Sequence, residues 1–274
     1  MRFAAGVLSV ASVVALLNGV SPRAQSQLPE VVLRATKYVD TEFVPRFASV
    51  VAEEHYTQET SPGRRRRELK SDYLLVTPPG QQDWYQFRDT YEVDGMPVPN
   101  RERRLERLFL EPPADVLQRA AEISKESERY NLEDIGTLNR PLTTLAFLQA
   151  RYVTHFRFTT GRLDKEVGPD VRIVQFNEYV RPSILKAGAN IELPAHGLVW
   201  IEQATGRVMK TVLDIGSGLR ANQSTTTFRF DPDLQVTVPV EMHEEWQVGR
   251  TDLKGVATYG RFRRFGVRTE ERIK

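Results

Sequence analysis

From Leu28 the apolar positions recur at helical spacing: Leu28, Val31, Val32, Ala35, Val39 and Phe43 lie along one stripe, which predicts an amphipathic helix. Pro45 disfavours helical backbone at Val44 and predicts the end of that helix. The period then changes to two. "FASVVAEEHYTQE" alternates through Ala48, Val50 and Ala52, and "RELKSDYLLVTPPG" through Leu69, Tyr73 and Leu75. "DWYQFRDTYEV" sets Tyr85, Phe87, Tyr91 and Val93 to one side before a turn at Asp94-Gly95. Three alternating runs with short, turn-rich joins predict an antiparallel meander.

The middle of the chain reverts to helical spacing, through Leu105, Leu108 and Phe109 and then Val116, Leu117, Ala120, Ala121 and Ile123, with Pro112-Pro113 as a break between two helices. "RPLTTLAFLQARY" predicts a third, short helix after Pro141. From His155 the pattern is β again. "WIEQATGRVMKTV" is a hairpin with Gly206 in its loop, and "FRFDPDLQVTVPVEM" is a second, turning at Asp231-Pro232-Asp233.

The expected class is therefore α+β: a large curved antiparallel sheet of about ten strands, with an N-terminal helix and a helical insertion near residues 101–150. Open sheets of about ten strands tend to curl, so the sheet is expected as an incomplete barrel whose concave face the helices cover. The last run, "GVATYGRFRRFGV", is basic, and its apolar face changes sides between Phe262 and Phe265. It is expected at an edge of the sheet, with a bulge re-aiming its side chains and arginines discouraging edge pairing.

Composition adds the compartment. Residues 1–26 carry Arg2, an apolar run from Phe3 to Leu17, and the small-x-small sequence Ala24-Gln25-Ser26, the layout of a secretory signal peptide. The rival reading is an uncleaved anchor; Phe3 to Val20 reaches 18 residues only by counting Asn18 and Gly19, short of the ~20 a spanning helix needs. Cleavage leaves one domain, 27–274, exported to a periplasm or to the exterior. The chain has no cysteine, which excludes disulfides, thiolate metal sites and a cysteine nucleophile. An exported chain built that way points to a bacterial envelope. The 38 basic and 36 acidic residues become 36 and 36 once Arg2 and Arg23 leave with the signal, and that balance excludes a nucleic-acid partner.

The order of elements, and above all "GLVWIEQATGRVMKTVLDI", "TTTFRFDPDLQVTVPVEM" and "GVATYGRFRRFGV", resembles the periplasmic lipoprotein-carrier (LolA/LolB-like) superfamily. The resemblance covers residues 28–274 in architecture and 195–270 in recognisable pattern. It implies a half-barrel with a hydrophobic cavity for acyl chains, and a lipid or lipidated protein as partner. The "RRRR" run at 64–67 and the charged insertion from Arg101 depart from the pattern expected of such a carrier. Candidate lining residues are Tyr85, Phe87, Tyr91, Phe156, Phe158, Phe176, Trp200, Phe228 and Phe230; the alternative use of the same residues is to fill a solid core.

The basic loop Arg64, Arg65, Arg66 and Arg67 is a candidate contact for an anionic membrane surface, or a solvated turn partly neutralised by Glu53, Glu54, Glu59 and Glu68. His243 stands beside Glu244 and Glu245, but the second histidine of a zincin helix is missing and the context is a strand. His55, His155 and His196 are scattered. No nucleophile elbow, phosphate loop or dinucleotide fingerprint occurs, so no cofactor, metal or catalytic residue is expected. Three functions remain, in order: a non-enzymatic lipid-binding envelope protein, an envelope interaction module with a solid core, and an enzyme acting on envelope polymers. The sequence assigns no oligomeric state.

Overall fold

The computed structural model describes residues 28–48, 50–77, 84–99, 101, 105, 108, 115–132, 140–187, 191–216, 222–248 and 250–264. The expected signal segment, the Pro112-Pro113 break and Phe265 lie outside the described residues.

The N-terminal stripe forms helix α1 (Glu30–Tyr38), a π turn (Val39–Phe43) and α2 (Val44–Phe47). The expected stop at Pro45 is corrected: Val44 is fully helical at φ −59° and ψ −50°, and the helix runs on to Phe47. The widened turn supplies the reason. It departs from the i→i−4 ladder just before the proline, where the ring would otherwise meet a carbonyl and one N–H is missing.

Strands β1 (Val50–Ser61), β2 (Arg66–Val76), β3 (Tyr85–Val93) and β4 (Met96–Pro97) form the first meander. Helices α3 (Val116–Glu128), α4 (Thr143–Phe147) and α5 (Ala150–Val153) come from the insertion. Then follow β5 (Phe156–Leu163), β6 (Val171–Glu178), the small hairpin β7 (Lys186–Ala187) and β8 (Ile191–Glu192), β9 (Ala195–Glu202), β10 (Val208–Ile215), β11 (Asn222–Asp231), β12 (Val236–Val248) and β13 (Thr251–Arg264). Eleven strands make one antiparallel sheet in the order β4-β3-β2-β1-β13-β12-β11-β10-β9-β6-β5. The sheet is curved and does not close into a barrel.

The last strand is not at an edge. It lies between β1 and β12, along the length of both. Its inner-face row is Leu253, Gly255, Ala257 and Tyr259, all buried. The bulge is present, but at Arg261-Phe262, where Ala52 faces two residues and Arg261 adopts φ +46°. It turns Arg261 and Arg263 to the outer face, where they meet Glu53 at 3.1 Å and Asp72 at 2.8 Å. The arginines pair with acids of neighbouring strands instead of guarding a free edge.

The inner face carries the main apolar cluster beneath α1, the π turn and α4. Tyr38 ties α1 to β12: its hydroxyl accepts the Thr237 N–H at 2.9 Å. Helix α3 follows the β3 edge. Its first turns, at Val116 and Ala120, pack with Val51, Leu74 and Phe87 on the outer face. Further along, Ser127 Oγ accepts the Thr90 N–H at 3.1 Å, which satisfies a backbone donor of the edge strand.

A buried polar layer as the candidate functional site

Strict alternation in β1 sends Ala52, Glu54, Tyr56 and Gln58 to the inner face, and all four are fully buried. The register sets Glu54 opposite Ser71 of β2 and Tyr259 of β13. From β3, Gln86, Arg88 and Thr90 reach the same face, and from β12 so does Glu244. Five strands thus contribute to one polar layer inside an otherwise apolar surface.

Its connections are specific. Arg88 Nη2 donates to Glu54 Oε1 at 2.8 Å, with both side chains out of solvent. The same guanidinium stacks on the Tyr56 ring, 4.6 Å from its centroid. Tyr56 donates its hydroxyl proton to Glu244 Oε2 at 2.8 Å. Gln58 donates to the Tyr56 hydroxyl at 3.1 Å and accepts the Leu132 N–H at 2.9 Å, joining the layer to the end of the α3 segment. Tyr73 donates to Gln86 at 2.6 Å, and Gln86 also accepts the Leu142 N–H ahead of α4. Glu54 Oε2 and Glu244 Oε1 make no close hydrogen bond, but the Tyr259 hydroxyl beside Glu54 and the Trp246 indole beside Glu244 each favour the ionised carboxylate.

Electrostatics follow from burial. Desolvation pushes Glu244 up to about 7, although the Tyr56 hydrogen bond and Arg88 oppose the shift. Glu54 is also raised by desolvation, against the pull of Arg88. Burial, reinforced by the nearby carboxylates, drives Tyr56, Tyr73 and Tyr259 well above the usual phenol range, so all three stay neutral donors. Desolvation works against the Arg88 cation, but Glu54 and its other neighbours outweigh it and hold Arg88 charged.

The sequence candidates divide between faces. Phe156, Phe176 and Phe228 lie in the inner cluster, with Phe158 packed against it. Phe156 and Phe176 close on Phe147 of α4, with ring centroids 4.9 and 6.2 Å away. Phe230 is half-buried under the Arg207 guanidinium. Tyr85 and Phe87 belong to the outer cluster. Tyr91 lies under Arg101, which pairs with Asp72 and Asp89. Trp200 donates to Asp164 at 2.8 Å, with Lys210 over its ring, and alternates with Val199 and Ile201 of the inner cluster, so it faces outward. The nine aromatics therefore do not line one surface.

In the basic run, Arg67 donates to the Tyr130 carbonyl at 2.7 Å and pairs with Asp94 at 2.8 Å, and Arg65 donates to the Leu132 carbonyl. Arg66 pairs with Glu68 and Glu59, and Arg64 is exposed at φ +45°. Two of the four arginines thus hold carbonyls just beyond α3, where cations are favoured. His243 is exposed and pairs with Glu241; His55 does the same with Glu53. Among the described residues no three His, Asp or Glu side chains gather into a metal-binding group, and no helix is long and apolar enough to cross a membrane. A surface hollow of about 210 Å³ lies at the start of α1, between Glu30, Arg34, Arg172 and Gln203; both arginines are already hydrogen-bonded to Gln203.

Sequence reading missed Glu54, Arg88 and Glu244. For the two glutamates the signal was present, since Glu54 falls in phase with Ala52 and Tyr56, and Glu244 with Met242 and Trp246; Arg88 alternates with Gln86 and Thr90, a row without an apolar mark.

No protein-family model matches the chain, and no curated protein does. Two solved structures are similar in architecture. One is a LolA superfamily protein from Nitrosomonas europaea, at 13% identity and a TM-score of 0.37, covering 85% of this chain and 91% of that one. The other is a DUF1329 family protein from Desulfovibrio piger, at 10% identity and a TM-score of 0.41, covering 86% and 90%.

Proposed function

We propose that the protein is a non-enzymatic binding protein of the bacterial envelope, exported by its N-terminal segment, that holds a lipid or lipidated partner against the inner face of one half-barrel domain. The observation that carries this reading is a buried layer of charged and polar side chains set into the apolar inner face of an open sheet. A face that only needs filling gains from aliphatic and aromatic side chains. Burying the Glu54 and Glu244 carboxyls costs desolvation, which raises both above the ordinary carboxylate range. Such groups are supported by a complementary molecule. Burial of an acyl chain beside them contributes ~0.8 kcal/mol per methylene, so an amphipathic ligand satisfies both kinds of surface.

A second reading has its own support. The end of the inner face near β5 and β6 is filled by Phe147, Phe156 and Phe176 in mutual contact, as a solid-core interaction module requires. The two readings part on one experiment: native mass spectrometry of mature protein taken gently from a periplasmic fraction, followed by solvent extraction. A discrete added mass that extracts as lipid supports the first. Bare protein that takes up neither added phospholipid nor fatty acid supports the second.

A further inference from the structure

The two ends of the sheet are finished differently. At one end β4 is two residues long and closes on Pro97, and α3 runs beside β3, where Ser127 takes up the Thr90 N–H. At the other end β5 pairs with β6 on one side. Its outward side pairs with no strand among the described residues, and Thr159, Thr160, Gly161 and Arg162 are exposed. Backbone donors and acceptors along such an edge are a template for one more strand.

The side chains decide which kind of strand. The bulge between Thr160 and Leu163 adds one residue to β5, so Arg157, Thr159 and Arg162 all stand on the outer face. Both arginines are exposed, and Arg157 lies over the Tyr179 ring, 4.8 Å from its centroid. On the inner face Thr160 borders the hollow at the start of α1, together with Arg34 and Arg172. Arg172 uses Nε on Gln203 and Nη1 on the Gly161 carbonyl, which leaves Nη2 for a further acceptor. The acids nearby are engaged: Glu30 with Arg34, Asp164 with the Trp200 indole, and Asp170 with Gln203. In the turn beyond, Lys165 and Glu166 offset each other. Positive charge is thus in excess on both faces of this edge.

We infer that β5 receives an extended, acidic segment of a partner protein as an added antiparallel or parallel strand, its backbone on the β5 edge and its carboxylates beside Arg157 and Arg162. A second copy of this chain does not fit. Full antiparallel alignment of two β5 strands sets Phe156 against Leu163 and therefore Arg157 against Arg162, and like charges directly opposite destabilise a pair. A cationic segment meets the same repulsion. The inference goes beyond the reading of the inner face and holds whether or not the sheet carries a lipid.

The probes are two capped ten-residue peptides, one alternating valine with glutamate and the other valine with lysine. In fluorescence anisotropy titrations of the mature protein at low salt, the glutamate peptide is expected to bind at least about tenfold more tightly. Hydrogen exchange reads the mode of binding. The amides of residues 157–162 should slow when the glutamate peptide is bound, while those of β9 and β10 stay as they were; attraction to surface charge alone does not slow them. Arg157→Glu with Arg162→Glu should reverse the preference between the peptides. Both side chains are exposed, and near-UV circular dichroism checks the fold of the variant. No binding of the glutamate peptide, binding without slower exchange at 157–162, or a preference that survives the charge exchange overturns the inference. A dimer of the protein alone that slows the same amides assigns the edge to a second copy and overturns it as well.

Discussion

The phenol of Tyr56 reaches Glu244 across an intervening strand, and the distance from oxygen to oxygen is 2.8 Å. The two residues stand on β1 and β12 with β13 between them, and the ring passes over Gly255. A Cβ built on that glycine would lie 2.5 Å from the Tyr56 hydroxyl and 2.8 Å from Cε2. The glycine is there to let a side chain cross its backbone.

Gly255→Ala is therefore expected to displace Tyr56, strip Glu244 of its donor and destabilise the protein by roughly 1–3 kcal/mol. Urea unfolding measures it. In a Tyr56→Phe background the nearest atom is gone and the alanine should cost less. An equal cost in both backgrounds would show that the hydroxyl is not what the alanine displaces.

Glu244 makes stability depend on pH. Its carboxyl is held near 7 by burial, above the ordinary 4.5, so the native state binds more protons than the unfolded chain between those values. The stabilisation is full below about 4.5 and is lost as pH rises through about 7, by roughly 3 kcal/mol at most. Glu54, also raised, acts in the same direction. Urea midpoints should fall from pH 5 to pH 8, and Glu244→Gln should flatten much of that slope. A slope unchanged in the variant would assign it elsewhere.

How much of this was legible in the sequence depends on what the period can carry. Alternation gave β1, β2, β3 and the two C-terminal hairpins, because each is set by its own residues and a short turn. It did not give the position of β13, since pairing with β1 joins strands about two hundred residues apart and leaves no local mark. Charge was read as exposure in "AEEHY" and "MHEEW", although phase alone places Glu54 and Glu244 inward beside Ala52 and Met242. Phase also fails in long runs that change face: Phe87 and Trp200 are inward only if aromatic character decides the side, and here their neighbours do.

The Arg88–Glu54 pair should behave as a buried ion pair. Removing one partner by Arg88→Met leaves Glu54 enclosed without its counter-charge, at an expected cost of about 3–5 kcal/mol. The double variant Glu54→Leu/Arg88→Met should recover most of that loss, because no charge is then left uncompensated. A double variant as unstable as the sum of the single ones would show that the two side chains are not coupled.

The arginine run separates into two roles that one substitution series can resolve. Arg65 and Arg67 hold the carbonyls of Leu132 and Tyr130, and Arg67 also meets Asp94; Arg64 and Arg66 point outward or pair at the surface. Arg64→Ser with Arg66→Ser should change stability by less than about 0.5 kcal/mol, as exposed sites do. Arg65→Ser with Arg67→Ser removes charged donors from two carbonyls, and about 1–3 kcal/mol should be lost for each. Hydrogen exchange should then accelerate in residues 126–132, which those carbonyls anchor, while the amides of β9 and β10 stay protected. Because Gln58 accepts the Leu132 N–H and donates to Tyr56, loosening that segment should also reach the polar layer. The pH slope assigned to Glu244 should therefore shrink in the Arg65/Arg67 pair and persist in the Arg64/Arg66 pair. If both pairs leave exchange and slope unaltered, the run is a solvated turn and the segment is held by its apolar contacts alone.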